Sequence, residues 1–568
     1  MTERDGMTGV PTWFGPAGRP LHGWVHVPKN GRARGVAVFC DPLGREAANA
    51  LPAVRVAGAQ AAATGIAAVR FAYAGTGDSA GHLTDPDRVS DWLDSIDQAV
   101  ALARTMCPGP VILVGLRAGA LLATGLCNRG TTVDGLVLWD PTPSGRRFLR
   151  LEQTLLATGF GVPQPDDGSV SGPAFSYSPQ TVGDLSSIGL HPLGPSGPPT
   201  IIFGRAGDRA TDNIRRQFEE AGAEWVDAEG QNTLFDVYPD DLVVPRTMIK
   251  ALVDRMGHLV GGPEEPVHLV PQEAAVVLHD GSPVRERPRW LGPNRLFAMS
   301  SEPVVGDVLA GSPTLVFLSA GALDHTGPGR QWVELTRGFA ARGLRTLRVD
   351  LDGVGESEGR PDLPRNVPKL AAAIDDVCDL CAALGDPEAG DIVFVGLSSG
   401  GYHAIEAALR LHPRAICVMN PGTTGPVAEL TVGEPIDPRR RAYQPRPAVL
   451  RRMAVKHHRM ARFLNRALLQ VAVWRSPHRP IAEVGRRRIP FLLILTEEDS
   501  EQFEPSPYWW LVRRRLERKQ LLDARIVPGF DHSLYTVQGQ DNTYPILISW
   551  ITDRYGRQSP ESEAPPVR

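Results

Sequence analysis

Two stretches of this chain read as the same object, a buried strand that runs without a break into a helix through a glycine-framed turn. One is Val111-Ile-Leu-Val-Gly-Leu-Arg-Ala-Gly119 and the other Ile392-Val-Phe-Val-Gly-Leu-Ser-Ser-Gly400. A short, continuous apolar run bounded by glycine is a strand buried on both faces, which occurs where helices cover both sides of a parallel sheet. The surrounding elements repeat as well: Arg70-Phe-Ala-Tyr-Ala-Gly-Thr-Gly-Asp-Ser79 is matched by Arg348-Val-Asp-Leu-Asp-Gly-Val-Gly-Glu-Ser357 at nearly the same spacing. A period this long is a duplicated domain rather than a solenoid. The expected fold is therefore α/β, with two tandem domains, each a mostly parallel sheet with helices on both faces.

At 568 residues the chain exceeds what one hydrophobic core organises. The repeat places the first domain at residues 1–256 and the second at 267–555. Between them, 257–266 (GHLVGGPEEP) crowds Gly and Pro and reads as a linker. Residues 556–568, rich in Pro, Glu and Ser, read as a disordered tail. With 42% apolar and 22% charged residues and a net charge of -4, the composition is that of a soluble globular protein with no general attraction for nucleic acid or membrane surfaces. No run is apolar enough to span a bilayer, and the first residues lack the apolar core of a secretion signal. The six cysteines follow no secreted framework, so free thiols and a cytoplasmic location are expected; the lone Cys378-x-x-Cys381 reads as helix packing.

Taken in order, residues 18–28 alternate loosely as an antiparallel edge strand. A buried strand (35–40), an Ala-rich helix, a further strand (66–71) and a helix over 89–104 follow. The second unit opens with a hairpin, Ala275-Val-Val-Leu-His279 turning through Asp280-Gly281 into Val284–Arg287.

The second elbow carries chemistry that the first has lost. Gly396-Leu-Ser-Ser-Gly400 is a G-x-S-x-G turn, whose glycines permit the strained conformation that lifts a hydroxyl clear of a sheet. Two further matches, around Ser79 and Ser357, sit at equivalent loop positions without a strand entering and a helix leaving, and read as turn structure. A serine hydroxyl is a weak nucleophile near pH 7 and needs a base and an orienting acid. Both follow in the chain. Asp499 ends the strand Phe491-Leu-Leu-Ile-Leu495, beside Glu497 and Glu498, and His532 lies in the loop after Ala524-Arg-Ile-Val527.

With the order Ser398, Asp499, His532 in place, the second half resembles a serine hydrolase of the α/β-hydrolase superfamily, in the branch of serine aminopeptidase-type and exosortase-associated hydrolases. Ser319-Ala-Gly-Ala-Leu-Asp-His-Thr-Gly-Pro-Gly-Arg330 resembles that branch's Asn-Ala-Gly loop with its Gly-Pro-x-Arg ending, with Ser319 where the branch often has Asn. Asp350-Leu-Asp-Gly-Val-Gly-Glu-Ser357 matches its Asp-x-x-Gly-x-Gly-[Asp/Glu]-Ser. The resemblance implies backbone oxyanion donors at Ser399 and in the Ala320–Gly321 region. No metal or redox cofactor is implied.

The first half resembles the same superfamily with its chemistry eroded. Arg117 stands where the serine belongs, Asn232 where the base belongs, and Asp208 remains as a relic of the acid. This degenerate site reads either as packing or as an Arg117–Asp208 pair or anion grip. Between 421 and 489 a helical cap carries fifteen Arg and Lys from Arg439 to Arg488, a solvated face or a mouth for an anionic substrate such as a coenzyme A or carrier-protein thioester. Tyr508-Trp509-Trp510 opens a second basic helix that lines either a pocket or an interface. The leading function is hydrolysis of an ester or thioester through an acyl-enzyme. Acyl transfer to an alcohol or amine is the second reading, and a non-catalytic binding or scaffold module the third.

Overall fold

The computed structural model describes residues 9–556 apart from 422–477 and the short gaps 195, 206–208, 238, 270–272, 279, 305, 307, 362, 364, 368–370, 502, 504–506 and 530. The expected basic cap falls almost wholly outside the described residues, as do Asp208 and the C-terminal tail. Two large sheets organise the rest.

The first has eight strands in the spatial order Val10–Phe14, Leu21–His26, Ala67–Phe71, Val36–Cys40, Val111–Leu116, Gly135–Trp139, Thr200–Gly204, Glu224–Asp227. The first three pair antiparallel and the remainder parallel. The second has nine, in the order Ala274–Val277, Pro283–Leu291, Leu296–Pro303, Arg345–Val349, Thr314–Leu318, Ile392–Leu397, Ala415–Met419, Phe491–Thr496, Leu522–Val527. From Leu21–His26 onward in one and Leu296–Pro303 onward in the other, the two sheets share one order and one set of pairing directions over seven strands. This is the α/β class expected from the repeated elbow.

Helices cover both faces, and the interior parallel strands are buried on both. Val36, Val38 and Cys40 point into one core, with Trp92 and Leu122, while Ala37 and Phe39 point into another, with Val54 and Leu252. The second sheet divides in the same way. Among the described residues no helix is long and apolar enough to cross a membrane.

The structure corrects three details. The strand Leu21–His26 is not at an edge, since Val10–Phe14 pairs outside it; Pro11 had disguised that strand, and proline is tolerated at an edge, where its missing N–H breaks no ladder. The helix Arg246–Leu259 runs past residue 256, so helical spacing outlasts Gly257. The end of the expected linker, Glu265–Pro266, is stitched antiparallel to Arg32–Ala33 of the first half. The expected hairpin is present, as Ala274–Val277 on Pro283–Leu291. All six cysteines are free, and Cys381 is buried in the second core.

The halves meet through their antiparallel strands. Trp13 and Trp24 pack with Val276, Phe297 and Met299 in a core of their own, and Gly18 bridges Val276. Around it lies a buried ionic network of mirrored contacts. Arg70 donates to both carboxylate oxygens of Glu356 at 2.9 and 3.0 Å, and Arg348 donates to Asp78 at 2.7 Å. Arg55, on the helix Glu46–Ala63, donates to the carbonyls of Gly355 and Ser357, while Arg337, on Gln331–Ala341, donates to those of Asp78 and Ser79. Each half thus presents arginines to the same Gly-x-Gly-acid-Ser loop of the other, the pattern of a twofold interface.

Candidate active site

Ser398 stands between the strand Ile392–Leu397 and the helix Ser399–Arg410, at φ 53° and ψ -115°. Positive φ at a non-glycine residue is strained, of order 1–3 kcal/mol, and persists only where the surroundings enforce it. Here the flanking glycines enforce it: a Cβ on Gly396 would lie 2.3 Å from the Gly400 carbonyl, and one on Gly400 2.5 Å from the Leu318 carbonyl. The helix start is thereby pressed onto the neighbouring strand, with the hydroxyl turned out at its apex.

The three predicted residues come together. Ser398 Oγ lies 2.9 Å from His532 Nε2, and His532 Nδ1 lies 2.8 Å from Asp499 Oδ2. Among the three adjacent acids it is Asp499 that reaches the ring. It is held in turn by Thr496, whose hydroxyl donates to its Oδ2 and accepts its backbone N–H, capping the short helix Glu497–Ser500. Burial works to raise the Asp499 pKa, but the His532 hydrogen bond and charge and the Thr496 bond outweigh it and carry the carboxyl below its ordinary value. Asp499 is therefore a carboxylate across the neutral range, and a positive charge on His532 only strengthens that. The His532 side chain is 47% exposed, so water reaches the pair.

Sequence reasoning missed Asn420. It is buried and at φ 42°, directly after the strand Ala415–Met419. Its amide nitrogen donates to the His532 carbonyl at 3.0 Å, and its oxygen accepts the Thr496 N–H at 2.9 Å. One side chain thus ties the histidine loop to the acid's strand. The signal was its position at a strand's C-terminal end, where α/β sheets place functional groups.

The oxyanion expectation is corrected at one residue. The Gly321 N–H is donated to Ser399 Oγ at 2.7 Å, so that amide is engaged. The Ser399 and Ala320 amides have no partner among the described residues, Ser399 because it opens a helix, whose first N–H groups lack intrahelical acceptors.

Arg117 occupies the equivalent turn of the first sheet at φ 50° and ψ -118°, within a few degrees of Ser398. Its Nε and Nη2 donate to Glu46 Oε1 at 3.0 and 2.8 Å, and its Nη1 to Asp140. Burial disfavours its charge, but Glu46 and Asp140 outweigh burial and hold the guanidinium charged. The described partners of Arg117 are these two; Asp208 lies outside the described residues. Asn232 is exposed at the start of a four-residue helix, and the neighbouring Gln231 instead accepts from Trp139 Nε1. Of the aromatic trio, Trp509 is packed in the second core while Tyr508 and Trp510 are exposed. Among the described residues no group of three or more His, Cys, Asp or Glu is arranged to hold a metal ion.

Comparison with known proteins gives one family match: the model of the Alpha/beta hydrolase family matches residues 315–545. No curated protein matches the chain. Among solved structures it is similar to a member of the a/b serine hydrolases without lid from Xanthomonas campestris, at 17% identity over 45% of this chain and 97% of that one, with a TM-score of 0.29. It is also similar to Est1E from Butyrivibrio proteoclasticus (14% identity, 44% and 99%, TM-score 0.31) and to a proline iminopeptidase from Mycobacterium smegmatis (17% identity, 47% and 98%, TM-score 0.29).

Proposed function

We propose that this chain, whose residues 315–545 match the model of the alpha/beta hydrolase family, is a serine hydrolase that cleaves an ester or thioester through an acyl-enzyme on Ser398. The observation that carries the reading is the unbroken chain from Ser398 Oγ through His532 to Asp499, at 2.9 and 2.8 Å, on a strained turn that exposes the hydroxyl. Ser398 Oγ attacks the acyl carbonyl carbon while His532 Nε2 takes its proton. Asp499 accepts the Nδ1–H bond, fixing the tautomer that leaves Nε2 free to act as base and stabilising the imidazolium that forms. The carbonyl oxygen gains negative charge as the tetrahedral intermediate forms. The Ser399 and Ala320 amides are its donors, each worth about 3 kcal/mol of barrier. His532 then returns its proton to the departing alkoxide or thiolate. A water, deprotonated by the same ring, releases the acid and restores the serine.

The test is labelling of the full chain with a fluorophosphonate, with the adduct mapped by mass spectrometry. A single adduct at Ser398, absent from Ser398→Ala, is the expected result. Modification of another residue, or equal labelling of the variant, overturns the assignment.

A further inference from the structure

The mirrored arginine contacts hold the halves together, and two contacts of the same interface that have no mirror bear on one loop of the second half. That loop, residues 320–325, carries the Ala320 amide. Asp240, on the short helical turn Pro239–Asp241 of the first half, accepts the Ala322 N–H at 2.7 Å. It lies against Gly321, where a Cβ would come within 3.1 Å of its carboxylate and where φ is +60°. At the other end of the loop, His325 is buried between two carboxylates: Nε2 is 2.8 Å from Asp78 of the first half and Nδ1 2.9 Å from Asp350 of the second. The His325 backbone N–H is also donated to Asp350. Among the described residues the reverse arrangement is not found. The residue matching Asp350 is Ala72, as the shared bond shows: Ser79 Oγ donates to the Ala72 carbonyl and Ser357 Oγ to that of Asp350. The loop of the first half that matches 320–325 is held by its own half, through Tyr73 on the Asp41 carbonyl and Arg45 on the carbonyls of Phe235 and Val237.

Packing alone does not fix the second-half loop. Leu323 to Gly327 border a cleft of about 220 Å³ between the halves, with Asp41, Tyr73 and Asp78 on its other side. A loop undercut by a cleft has few van der Waals contacts on that side, so polar anchors decide where its amides point.

We propose that the first half serves the second as a built-in positioning subunit, with Asp240 and, through His325, Asp78 fixing the loop that presents the Ala320 amide to the developing oxyanion. The inference rests on the serine hydrolase reading above. Asp78, Asp240 and His325 touch neither serine nor imidazole; they act through the loop. An oxyanion donor serves the transition state more than the bound ester, so its misplacement lowers kcat and spares KM. A displacement of about 1 Å by groups remote from the chemistry costs up to about 100-fold.

The experiment uses the full chain and p-nitrophenyl butyrate. Asp240→Ala and His325→Gln are expected to lower kcat about 10- to 100-fold with KM within about threefold. Their affinity for butylboronic acid, which becomes tetrahedral on a serine, is expected to fall in parallel. Asp240→Asn retains an oxygen for the Ala322 N–H and is expected to restore most of kcat. Arg55→Ala removes a mirrored contact of the same interface without touching the 320–325 loop, and kcat of its folded protein is expected to stay within about twofold. The proposal is overturned if Asp240→Ala and His325→Gln keep wild-type kcat, or if Arg55→Ala lowers kcat as much as they do. Failure of the wild-type chain to label at Ser398 overturns instead the hydrolase reading beneath it.

Discussion

Ser398 and Arg117 share a backbone and nothing else. Each donates its N–H to the end of the equivalent strand, Ser398 to the Met419 carbonyl and Arg117 to that of Trp139, and in each half a residue of positive φ follows that strand's end, Asn420 and Asp140. Those followers answer the change at the elbow. Where the elbow is a neutral hydroxyl, Asn420 is neutral and spends both ends of its amide on the histidine and acid loops. Where it is a guanidinium, Asp140 is a carboxylate that accepts from Arg117 and from Arg205 at 2.8 Å. The comparison teaches that the strained turn belongs to the sheet and not to catalysis. Its geometry survives without the chemistry because the glycines and strands, not the side chain, impose it.

The comparison breaks most severely at Arg117. Removing the cation in Arg117→Ala leaves Glu46 and Asp140 buried without it, a change that typically costs about 3–5 kcal/mol. Denaturant unfolding is expected to show that loss, while below the transition Ser398 labels as in the wild type. Loss of labelling in the folded variant would contradict the separation of roles. Arg117→Ser in a Ser398→Ala background supplies the hydroxyl on the same strained turn, but no imidazole, and is expected to give no adduct at residue 117.

A smaller effect is expected at Asn420. Asn420→Ala leaves the Thr496 N–H without its acceptor and frees the His532 carbonyl, at a cost of about 1–3 kcal/mol in stability. Asn420→Asp keeps the oxygen for Thr496 but loses the donor to the His532 carbonyl and adds a charge near Asp499. Comparing kcat of the two separates holding the histidine loop from holding the acid's strand. Equal and unchanged kcat would show that Asn420 positions neither.

Much of this was legible in the residue pattern, for reasons that differ by element. The parallel strands announced themselves because burial on both faces demands an unbroken apolar run, as in Val111–Leu116 and Ile392–Leu397. The trio Ser398, Asp499 and His532 was legible because each ends or follows such a strand. Asn420 was not, since a lone polar residue after a strand has no periodicity to betray it. Nor were the partners of Arg117, because Glu46 comes from a helix start and Asp140 from another strand's end, and only the fold brings them together. The edge strand Val10–Phe14 was hidden by a proline that edges tolerate. The inter-half clamps were least legible. Arg70, Asp78, Arg348 and Glu356 were visible as a repeat, but a repeat does not say that its two copies face each other.

The gentlest probe of the two halves is pH. His325 is faced by Asp78, Asp350 and Asp324, with Arg348, His22 and Glu356 beside them and the Phe297 ring stacked edge-on at 4.9 Å. Burial opposes its charge, yet Asp350 and Asp78 outweigh burial and carry its pKa well above the ordinary value. The sign follows from linkage. A base whose folded pKa is raised contributes stability that is complete below its unfolded value, about 6.5, and is lost as pH rises through the folded one. His22 works on the other side. Burial drives its pKa down to about 4 against the pull of Asp78, so the unfolded chain binds the extra proton first and stability falls as pH drops from about 6.5 towards 4. The thermal unfolding temperature is therefore expected to decline at both ends. The alkaline decline is shallow, because Arg348 still pairs with Asp78 once His325 is neutral. In His325→Gln the alkaline decline is expected to flatten while the acid one remains. If the alkaline slope is the same in wild type and variant, His325 is not the charged link between the halves, and the asymmetry between the Asp350 and Ala72 positions loses its electrostatic meaning.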